Sequence, residues 1–499
     1  MKRVKKQYPY DFRTSLGFTT ASWVHGFSTM VFSLFLQFLT DYSGIDSAIG
    51  QVGYAAAFGT IIIMFTRIVD AVDDPVQAWI MDRSKACKFG KYRRFTLISI
   101  ALIAVGIIMM FALPEGVKGS KLFLPVWILC GYIIYEMGYA FNGTKPLIQK
   151  VTYDVNLRTK LTTCWRVGII LAVIPASFFI PIATAVNGSV GNMGKSFTIT
   201  IIAITLVSAI LSLLGVFSLK EPYGEKKEQG GAEEKLKFRD VIQMFKQNKP
   251  MWVHCLGFFI GDFAYCVTTA VIVYFLKWFY CADIATGVVD EIQYAGIYGL
   301  YAALSLIPNF ITPFFAAPLV KKLGSVDKTV RLCMITVCCV YLTMFGLYLL
   351  GILQTSATLF VILAFCAAIP LSTAVVPSSL MWTECADYAE YTTGKKMSAL
   401  VNSVNNLIVK TQNAISAVVP GIILTVVGYS VNAQTGAYAG DLTKLPGMVR
   451  NLALVITLIP AAVTLISFCV YKFLYPITPE FRQKMTTELE RQRESAKSE

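Results

Sequence analysis

Long apolar stretches separated by short polar connections divide the chain into twelve segments. A transmembrane helix needs about 20 consecutive apolar residues, and each stretch is long enough to meet that requirement. The segments, numbered as spans 1 to 12 in chain order, cover residues 17–41, 49–80, 94–114, 122–148, 160–184, 196–219, 251–280, 293–321, 330–351, 355–385, 397–429 and 447–474. The pattern predicts an all-α membrane protein with twelve transmembrane helices.

The connections that follow even-numbered spans carry most of the positive charge. Their basic residues are Arg83, Lys85, Lys88, Lys91, Arg93 and Arg94 after span 2, Lys150, Arg158 and Lys160 after span 4, and Lys321, Lys322, Lys328 and Arg331 after span 8. The connections after spans 1, 7 and 9 are poor in Lys and Arg. Because basic residues concentrate in cytoplasmic loops, we expect a protein of the cell membrane with both termini in the cytoplasm.

The longest connection, residues 220–250, is charged and contains Gly230-Gly231. We expect an N-terminal six-helix half at 1–219, a cytoplasmic linker at 220–250, a C-terminal six-helix half at 251–475 and a cytoplasmic tail at 476–499. Two six-helix halves with a long central loop are the layout of the major facilitator superfamily. Its substrate site lies near the middle of the membrane, between the halves.

The composition supports a membrane protein. Of the 499 residues, 55% are hydrophobic and only 15% are charged, whereas soluble proteins carry about 25% charged residues. The formal net charge of +14 is explained by cytoplasmic loops, so we expect no nucleic-acid partner. The sequence contains no nucleophile–base constellation, no metal motif and no Gly-rich phosphate loop, which indicates neither an enzyme nor a bound cofactor.

Three acidic residues fall inside span 2, where the surroundings should be hydrocarbon. An ionisable group at that depth costs about 2.5–3.5 kcal/mol on insertion scales. Asp70, Asp73 and Asp74 are spaced i, i+3 and i+4, which places them on one helical face, with Arg67 one turn earlier. We interpret them as a coupling-ion site. Asp70 and Asp74 would hold Na⁺ if the ion is sodium, since hard cations take oxygen ligands, and a proton is equally suitable because crowding raises the pKa of a carboxylate.

Span 11 carries a polar stripe. Asn402, Asn406, Lys410 and Asn413 repeat at helical spacing. The side chain of Asn both donates and accepts hydrogen bonds and therefore suits sugar hydroxyls, while Lys410 could neutralise an aspartate of span 2. The alternative is that the Asn residues hydrogen-bond to neighbouring helices.

Other polar and aromatic residues lie at membrane depth in spans 1, 4 and 5. The candidate substrate-binding residues are Trp23, Tyr135, Glu136, Asn142 and Arg166, together with Asn402 and Asn406. Aromatic rings could stack on a pyranose, and the alternative is a role in the core or at the membrane interface. Glu136 and Arg166 could instead form an ion pair.

Two histidines, His25 in span 1 and His254 in span 7, have two interpretations. Either ring could relay a proton, because histidine titrates near neutral pH. A single histidine inside a helix is more often simply hydrogen bonded, and the sequence leaves both interpretations open.

Two clusters of residues carry a resemblance to a known family. They are Arg67-x-x-Asp70-x-x-Asp73-Asp74-Pro75 with Asp82-Arg83 and Gly90-Lys91-Tyr92-Arg93, and Ala386-Asp387-Tyr388-Ala389-Glu390-Tyr391-Thr392-Thr393-Gly394-Lys395-Lys396 with Ser398, Lys410, Gly421 and Gly428-Tyr429. The chain resembles the glycoside–pentoside–hexuronide:cation symporter family, which includes the melibiose permease. The resemblance implies a cation site at the span 2 aspartates with Lys410 nearby, and Arg166 matches an arginine of the family.

The chain also departs from that family. The melibiose permease has Asn where this chain has Asp73, and the extra carboxylate makes a proton a stronger candidate. The sugar-binding carboxylates of that permease fall at Val24 and Gly138, and Asn142 replaces an aromatic residue of the sugar platform. Recognition of galactosides therefore does not carry over.

We predict a monomeric secondary transporter that moves a sugar or glycoside across the plasma membrane by symport with Na⁺ or H⁺, through alternating access. The expected partners are the small-molecule substrate and membrane lipid. The alternatives are a major facilitator carrier of another cargo, such as a hexuronide, a drug or a lysolipid, or a membrane receptor that transports nothing. A receptor would be expected to carry an appended soluble domain.

Overall fold

The computed structural model describes residues 11–84, 87, 89–151, 155–221, 246–394, 398–427, 429–432 and 436–498. Some side chains within these ranges lie outside the description, among them those of residues 67–79, Asn402 and Asn413.

The predicted all-α architecture is confirmed. Span 1 consists of the helices Phe12–Thr20, Trp23–Ser33 and Phe35–Gln37 and a π-helical turn, Phe38–Tyr42. Spans 2 and 3 correspond to Tyr54–Arg83 and Lys91–Phe111. Span 4 corresponds to Phe123–Ala140 with Thr144–Val151, span 5 to Val155–Ser177 with Phe179–Val190, and span 6 to Met193–Ser218. Short helices at Ile45–Ile49 and Glu115–Lys118 lie in the connections.

The helices that correspond to spans 7 to 12 are Lys249–Tyr280, Glu291–Leu323, Val326–Leu349, Ala357–Thr393, Ser398–Val427 and Leu445–Phe473. Two-residue strands, Ala282–Asp283 and Val288–Val289, pair antiparallel between spans 7 and 8. Two 3₁₀ turns, Leu353–Thr355 and Leu442–Lys444, precede spans 10 and 12, and a tail helix covers Pro479–Ser498.

Nine helices of the described part are both long and apolar enough to cross a membrane. They correspond to spans 3 to 10 and span 12. The other three predicted spans also coincide with helices: span 1 with its consecutive short helices, span 2 with Tyr54–Arg83 and span 11 with Ser398–Val427. Each predicted span therefore coincides with one or more helices of the described part of the chain.

Spans 4 and 5, like span 1, consist of more than one helix. Span 5 contains Pro175, which lacks the N–H of a regular helical bond, and its first helix ends two residues later at Ser177. Span 4 breaks between Ala140 and Thr144. At this break a Cβ on Gly143 would lie 2.2 Å from the carbonyl oxygen of Tyr92. Only glycine permits such a close approach, so the break in span 4 packs directly on the start of span 3.

The chain divides into two compact units. Unit 1 comprises residues 1–228, 282–299 and 421–445, and unit 2 comprises residues 229–281, 300–420 and 446–499. Unit 1 thus contains spans 1 to 6 together with two segments from the second half of the sequence. Residues 222–245 of the predicted linker lie outside the described part, so the boundaries of the two six-helix halves stay a prediction.

Small residues bring helices together inside unit 1. A Cβ on Gly168 of span 5 would lie 1.7 Å from the carbonyl oxygen of Thr19, and one on Gly26 of span 1 would lie 2.7 Å from that of Ile169. Small residues at such crossings let two membrane helices approach at backbone distance. Spans 1 and 5 are consequently held against each other along their lengths.

Unit 2 has a mixed apolar core formed by spans 9, 10 and 12. Val330 and Cys333 pack with Met381 and Tyr471, and all four side chains are buried. A second cluster joins spans 7, 10 and 11 through Met251, Trp382 and Val401.

Candidate functional site

The polar junction of unit 1 consists of Ser22, Asn142 and Trp165. Ser22 lies in the break between the first two helices of span 1, and Asn142 lies in the break of span 4. The Oγ atom of Ser22 accepts hydrogen bonds from Nε1 of Trp165 at 3.1 Å and from Nδ2 of Asn142 at 3.4 Å. Ser22 is 1% exposed. The junction therefore fixes Asn142, a predicted sugar-contacting residue, and Trp165 to the same buried hydroxyl.

Asn142 has a second structural role. Its Oδ1 atom accepts the backbone N–H of Thr144 at 3.1 Å, which satisfies one of the free donors at the start of the second helix of span 4. Because both ends of the amide are engaged, the orientation of Asn142 is determined by the break itself.

Arg166 and Trp23 lie next to the polar junction in sequence. Arg166 is exposed, and in the described part of the chain its guanidinium forms no hydrogen bond or ion pair. Trp23 is half-buried. A guanidinium inside a membrane span is costly unless it faces a partner or a water-filled cavity, so Arg166 is suited to meet an incoming polar ligand.

Glu136 and Arg166 do not form the ion pair that the sequence left open as an alternative. Instead, Oε1 of Glu136 accepts the hydroxyl hydrogen of Tyr132 at 3.0 Å. Glu136 is half-buried one helical turn after Tyr132. The two charged candidates are therefore separate features of this unit.

Tyr135 lies mainly within the packing between spans 3 and 4. Its side chain is 5% exposed, and its ring lies 6.1 Å from the rings of both Tyr132 and Tyr139. A Cβ added to Gly106 of span 3 would lie 2.6 Å from the backbone nitrogen of Tyr135. In this conformation the ring belongs to a row of tyrosines and presents little surface to a ligand.

Val24 and Gly138, where the melibiose permease has sugar-binding carboxylates, are both used for packing. Val24 is fully buried, and its N–H donates to Oγ of Ser212 at 2.9 Å. A Cβ on Gly138 would lie 2.7 Å from the backbone nitrogen of Ile103. Neither position has room for a carboxylate directed at a ligand.

The three aspartates of span 2 lie on one uninterrupted helix, Tyr54–Arg83. This backbone is the geometry that the i, i+3, i+4 spacing requires. The side chains of Asp70, Asp73 and Asp74 lie outside the described part of the chain, so the cation site stays a prediction from the sequence.

The polar stripe of span 11 lies on the helix Ser398–Val427. Asn406 is exposed and Lys410 is half-buried, whereas the side chains of Asn402 and Asn413 lie outside the described part. Gln412, which the sequence analysis did not select as a site residue, donates through Nε2 to the carbonyl oxygens of Phe258 and Phe259 at 3.2 and 2.8 Å. Span 11 is therefore anchored to span 7 by Gln412.

Both histidines are buried and hydrogen bonded. Nε2 of His25 lies 2.8 Å from Oγ of Ser99. Nδ1 of His254 lies 3.0 Å from the hydroxyl of Tyr471, and its Nε2 lies 3.1 Å from the carbonyl oxygen of Ser378. These contacts favour the structural interpretation of both rings over the relay interpretation.

A charged cluster in unit 2 was not found by sequence reasoning. Nε of Arg482, on the tail helix, lies 2.6 Å from Oε1 of Glu384, at the end of span 10. Nη2 of Arg482 donates to Oε2 of the same carboxylate at 3.0 Å, and Asp327 lies 3.7 Å from Arg482 and 2.7 Å from Arg331. The tail helix is thus attached to the ends of spans 9 and 10.

Known proteins resemble this chain over nearly its whole length. The uncharacterized symporter YnaJ of Bacillus subtilis (strain 168) is 24% identical over 91% of this chain and 89% of its own length. The glucuronide carrier protein homolog of Escherichia coli (strain K12) is 22% identical over 96% of both chains.

The fold is also that of a solved transporter. The crystal structure of a bacterial homolog of the human lysosomal transporter Spinster superposes with a TM-score of 0.59, covering 96% of this chain and 99% of the other at 12% identity. This likeness concerns the fold alone, and it agrees with the predicted major facilitator architecture. A family model described as MFS/sugar transport protein matches residues 17–479, and the chain therefore belongs to this family of membrane transporters.

Proposed function

We propose that this transporter carries a sugar or glycoside across the cell membrane by symport with a cation, through alternating access. As a family member it is a secondary transporter and not an enzyme. The observation that carries the proposal is the polar junction of Ser22, Asn142 and Trp165, with the exposed Arg166 beside it, inside the membrane spans of a sugar-transport family member.

The chemistry of the polar junction suits a sugar. An indole ring offers an apolar face for a pyranose, and amide and hydroxyl groups exchange hydrogen bonds with sugar hydroxyls. We propose that the residues that contribute to binding are Trp23, Asn142, Arg166, Asn402 and Asn406. Tyr135 and Glu136 are proposed as supporting residues, since each contacts neighbouring tyrosines.

The coupling mechanism rests on the carboxylates of span 2. We propose that Na⁺ or H⁺ is held by Asp70, Asp73 and Asp74, with Asp70 and Asp74 as the ligands of a sodium ion and Lys410 as a neighbouring cation. A bound cation neutralises the carboxylates and lowers the cost of enclosing them within the membrane. Cation and sugar then increase each other's affinity by the same factor, because such a coupling is reciprocal.

The proposal places a monomeric carrier in the cell membrane with both termini in the cytoplasm. It retains the predicted halves at 1–219 and 251–475, the linker at 220–250 and the tail at 476–499. The positive charge of the even-numbered connections supports this orientation.

A hexuronide is the second candidate cargo. It is favoured by one observation, that the exposed guanidinium of Arg166 has no counter-charge in the described part of the chain. A similar protein is named a glucuronide carrier homolog. An arginine can bind a carboxylate with two parallel hydrogen bonds.

Uptake into proteoliposomes tests the proposal. Radiolabelled neutral glycosides and hexuronides are offered under an inward Na⁺ gradient and, separately, under an inward proton gradient. We expect accumulation of at least one sugar under at least one gradient, and the responding gradient identifies the ion. Entry that only equilibrates, under either gradient, would show that the carrier is not a symporter of these cargoes.

A further inference from the structure

His25 of span 1 joins three helices of unit 1. It is 3% exposed, and its Nε2 atom lies 2.8 Å from Oγ of Ser99 in span 3. Ser99 in turn donates its hydroxyl hydrogen to the carbonyl oxygen of Gly138 in span 4. The three residues form a bridge, referred to below as the His25 bridge, whose members are all buried.

The protons of the His25 bridge can be assigned. A carbonyl oxygen only accepts hydrogen bonds, so the single hydroxyl hydrogen of Ser99 is committed to Gly138. Ser99 must then accept from His25, which requires the proton of a neutral imidazole to be on Nε2. The Nδ1 atom is buried and has no hydrogen-bond partner within the described residues. A second proton on Nδ1 would be a buried donor without an acceptor, which is unfavourable.

On spans 1 and 4, two of the three spans that it connects, the His25 bridge lies three or four residues from the polar junction. Ser22 precedes His25 by three residues, and Asn142 follows Gly138 by four. The Asn142–Ser22 hydrogen bond is long, at 3.4 Å, so a small shift of span 1 along span 4 would break it. Gly138 also packs at backbone distance on span 3, which leaves the carbonyl of this residue within reach of Ser99.

We propose that His25 is a positioning residue for sugar binding. Through Ser99 and the carbonyl of Gly138, it fixes span 1 against span 4 and so maintains the Ser22 contact that orients Asn142. It stays neutral and takes no part in moving the coupling ion. The sugar ligand in this inference rests on the proposed function, whereas the bridge itself does not.

The test is sugar uptake by purified carrier in proteoliposomes, with KM, Vmax and the accumulation ratio measured separately. His25→Leu should raise the KM about tenfold, the effect of losing one buried hydrogen bond, with Vmax and the accumulation ratio retained. His25→Gln carries an N–H that can reach Ser99 and should restore the KM to within about twofold of the original carrier. Ser28→Ala is the matched control, because Ser28 donates to the backbone carbonyl of His25 at 3.0 Å and lies outside the bridge, so its KM should not change.

Two results would overturn the inference. One is a KM unchanged by His25→Leu. The other is a His25→Gln carrier that exchanges sugar normally but no longer accumulates it under a proton gradient, which would make His25 a proton relay. Ser99→Ala breaks the bridge from its other end and gives the same comparison if His25→Leu does not fold.

A thermal-unfolding cycle separates this inference from the proposed function. If the original carrier moves no sugar at all, the proposed function fails, but the bridge still predicts non-additive effects. The double variant, Ser99→Ala with His25→Leu, should have a melting temperature no lower than that of the less stable single variant. Additive losses would show that the two side chains do not act together.

Discussion

Tyr429 donates its hydroxyl hydrogen to Oδ1 of Asp41 over 2.9 Å, although 388 positions separate the two residues. Asp41 belongs to the π-helical turn that ends span 1 and is 1% exposed. A parallel contact joins Nε2 of Gln37 to the hydroxyl of Tyr294 at 3.0 Å. Both contacts attach segments from the second half of the sequence to span 1 within unit 1, at the end that the loop charges predict to face outside.

Tyr429→Phe should weaken this attachment. The carboxylate of Asp41 would lose a buried donor at a cost of about 1–3 kcal/mol. We expect a lower melting temperature in detergent, and faster reaction of a cysteine introduced at Tyr294 with an impermeant maleimide. Asp41→Asn is the matched variant, because its amide oxygen still accepts from Tyr429 and the loss should be smaller. Equal stability of Tyr429→Phe and the original carrier would contradict the assignment.

The attachment of the tail depends on Arg482. Arg482→Gln removes the cation that lies 2.6 Å from the carboxylate of Glu384, and it should release the helix Pro479–Ser498. This helix also has an apolar contact, because the ring of Phe481 lies 6.0 Å from the rings of Tyr388 and Tyr391. We expect faster trypsin cleavage of the tail. Arg482→Lys should restore part of the protection, since a lysine keeps the charge but not the paired geometry. Unchanged cleavage of Arg482→Gln would show that the apolar contacts alone hold the tail.

The same cluster has a predicted pH dependence. The hydroxyl of Tyr475 donates to Oε2 of Glu384 at 3.2 Å, and burial raises the pKa of Tyr475 well above its usual value of 10.0. The unfolded chain therefore releases this proton at lower pH than the folded protein does, and stability falls as the pH rises above about 10. Protection of the tail from a protease that works at alkaline pH should be constant up to about pH 10 and should decline above it. The Tyr475→Phe variant should not show this decline in protection. A decline that persists in the variant would show that another group titrates.

The contact between spans 1 and 5 leaves no room for a side chain at Gly168, whereas Gly188 has space around it. Gly168→Ala would place a methyl group 1.7 Å from the carbonyl oxygen of Thr19, so the helices must separate and the yield of folded carrier should fall sharply. Gly188→Ala is the matched control, because Gly188 lies near the end of the following helix, Phe179–Val190, with no atom within 4 Å of an added Cβ. This change should be neutral or slightly stabilising. Size-exclusion profiles in detergent measure both, and similar profiles for the two variants would contradict this packing.

The polar junction predicts the effect of removing a single N–H. Trp165→Phe keeps an aromatic ring but loses the hydrogen bond to Ser22, and the KM for sugar should rise by up to about tenfold. Trp127→Phe loses a comparable hydrogen bond, from Nε1 to the carbonyl oxygen of Met109 at 2.9 Å, away from the junction. A KM raised equally by both changes would show that the effect is general to the fold.

The helices could be predicted from the sequence because continuous apolar runs are a strong signal for membrane spans. Their interruptions could not, because hydropathy is insensitive to backbone breaks. The break at Phe141–Gly143 depends on Gly143 meeting the carbonyl of Tyr92, a contact between helices that no local pattern encodes. Predicted spans 1, 4 and 5 therefore proved to be consecutive helices rather than single ones.

The candidate site was predictable where an unusual residue type marks it. Asn142 and Arg166 stand out because amides and guanidinium groups are rare in apolar runs. Ser22 gave no such signal, since a single serine in a membrane span is ordinary, yet its hydroxyl is the shared acceptor of the polar junction. The Asp41–Tyr429 contact was missed for another reason, because its partners are distant in sequence and only tertiary packing brings them together.

The carboxylates of span 2 are proposed to couple a cation gradient to sugar movement. The most direct measurement compares Asp70→Asn and Asp74→Asn with the original carrier in proteoliposomes, recording gradient-driven accumulation and sugar exchange without a gradient on the same preparations. We expect both variants to lose accumulation while retaining folded protein and measurable exchange. Concentration of sugar by either variant to the level of the original carrier, under the same gradient, would contradict this proposal.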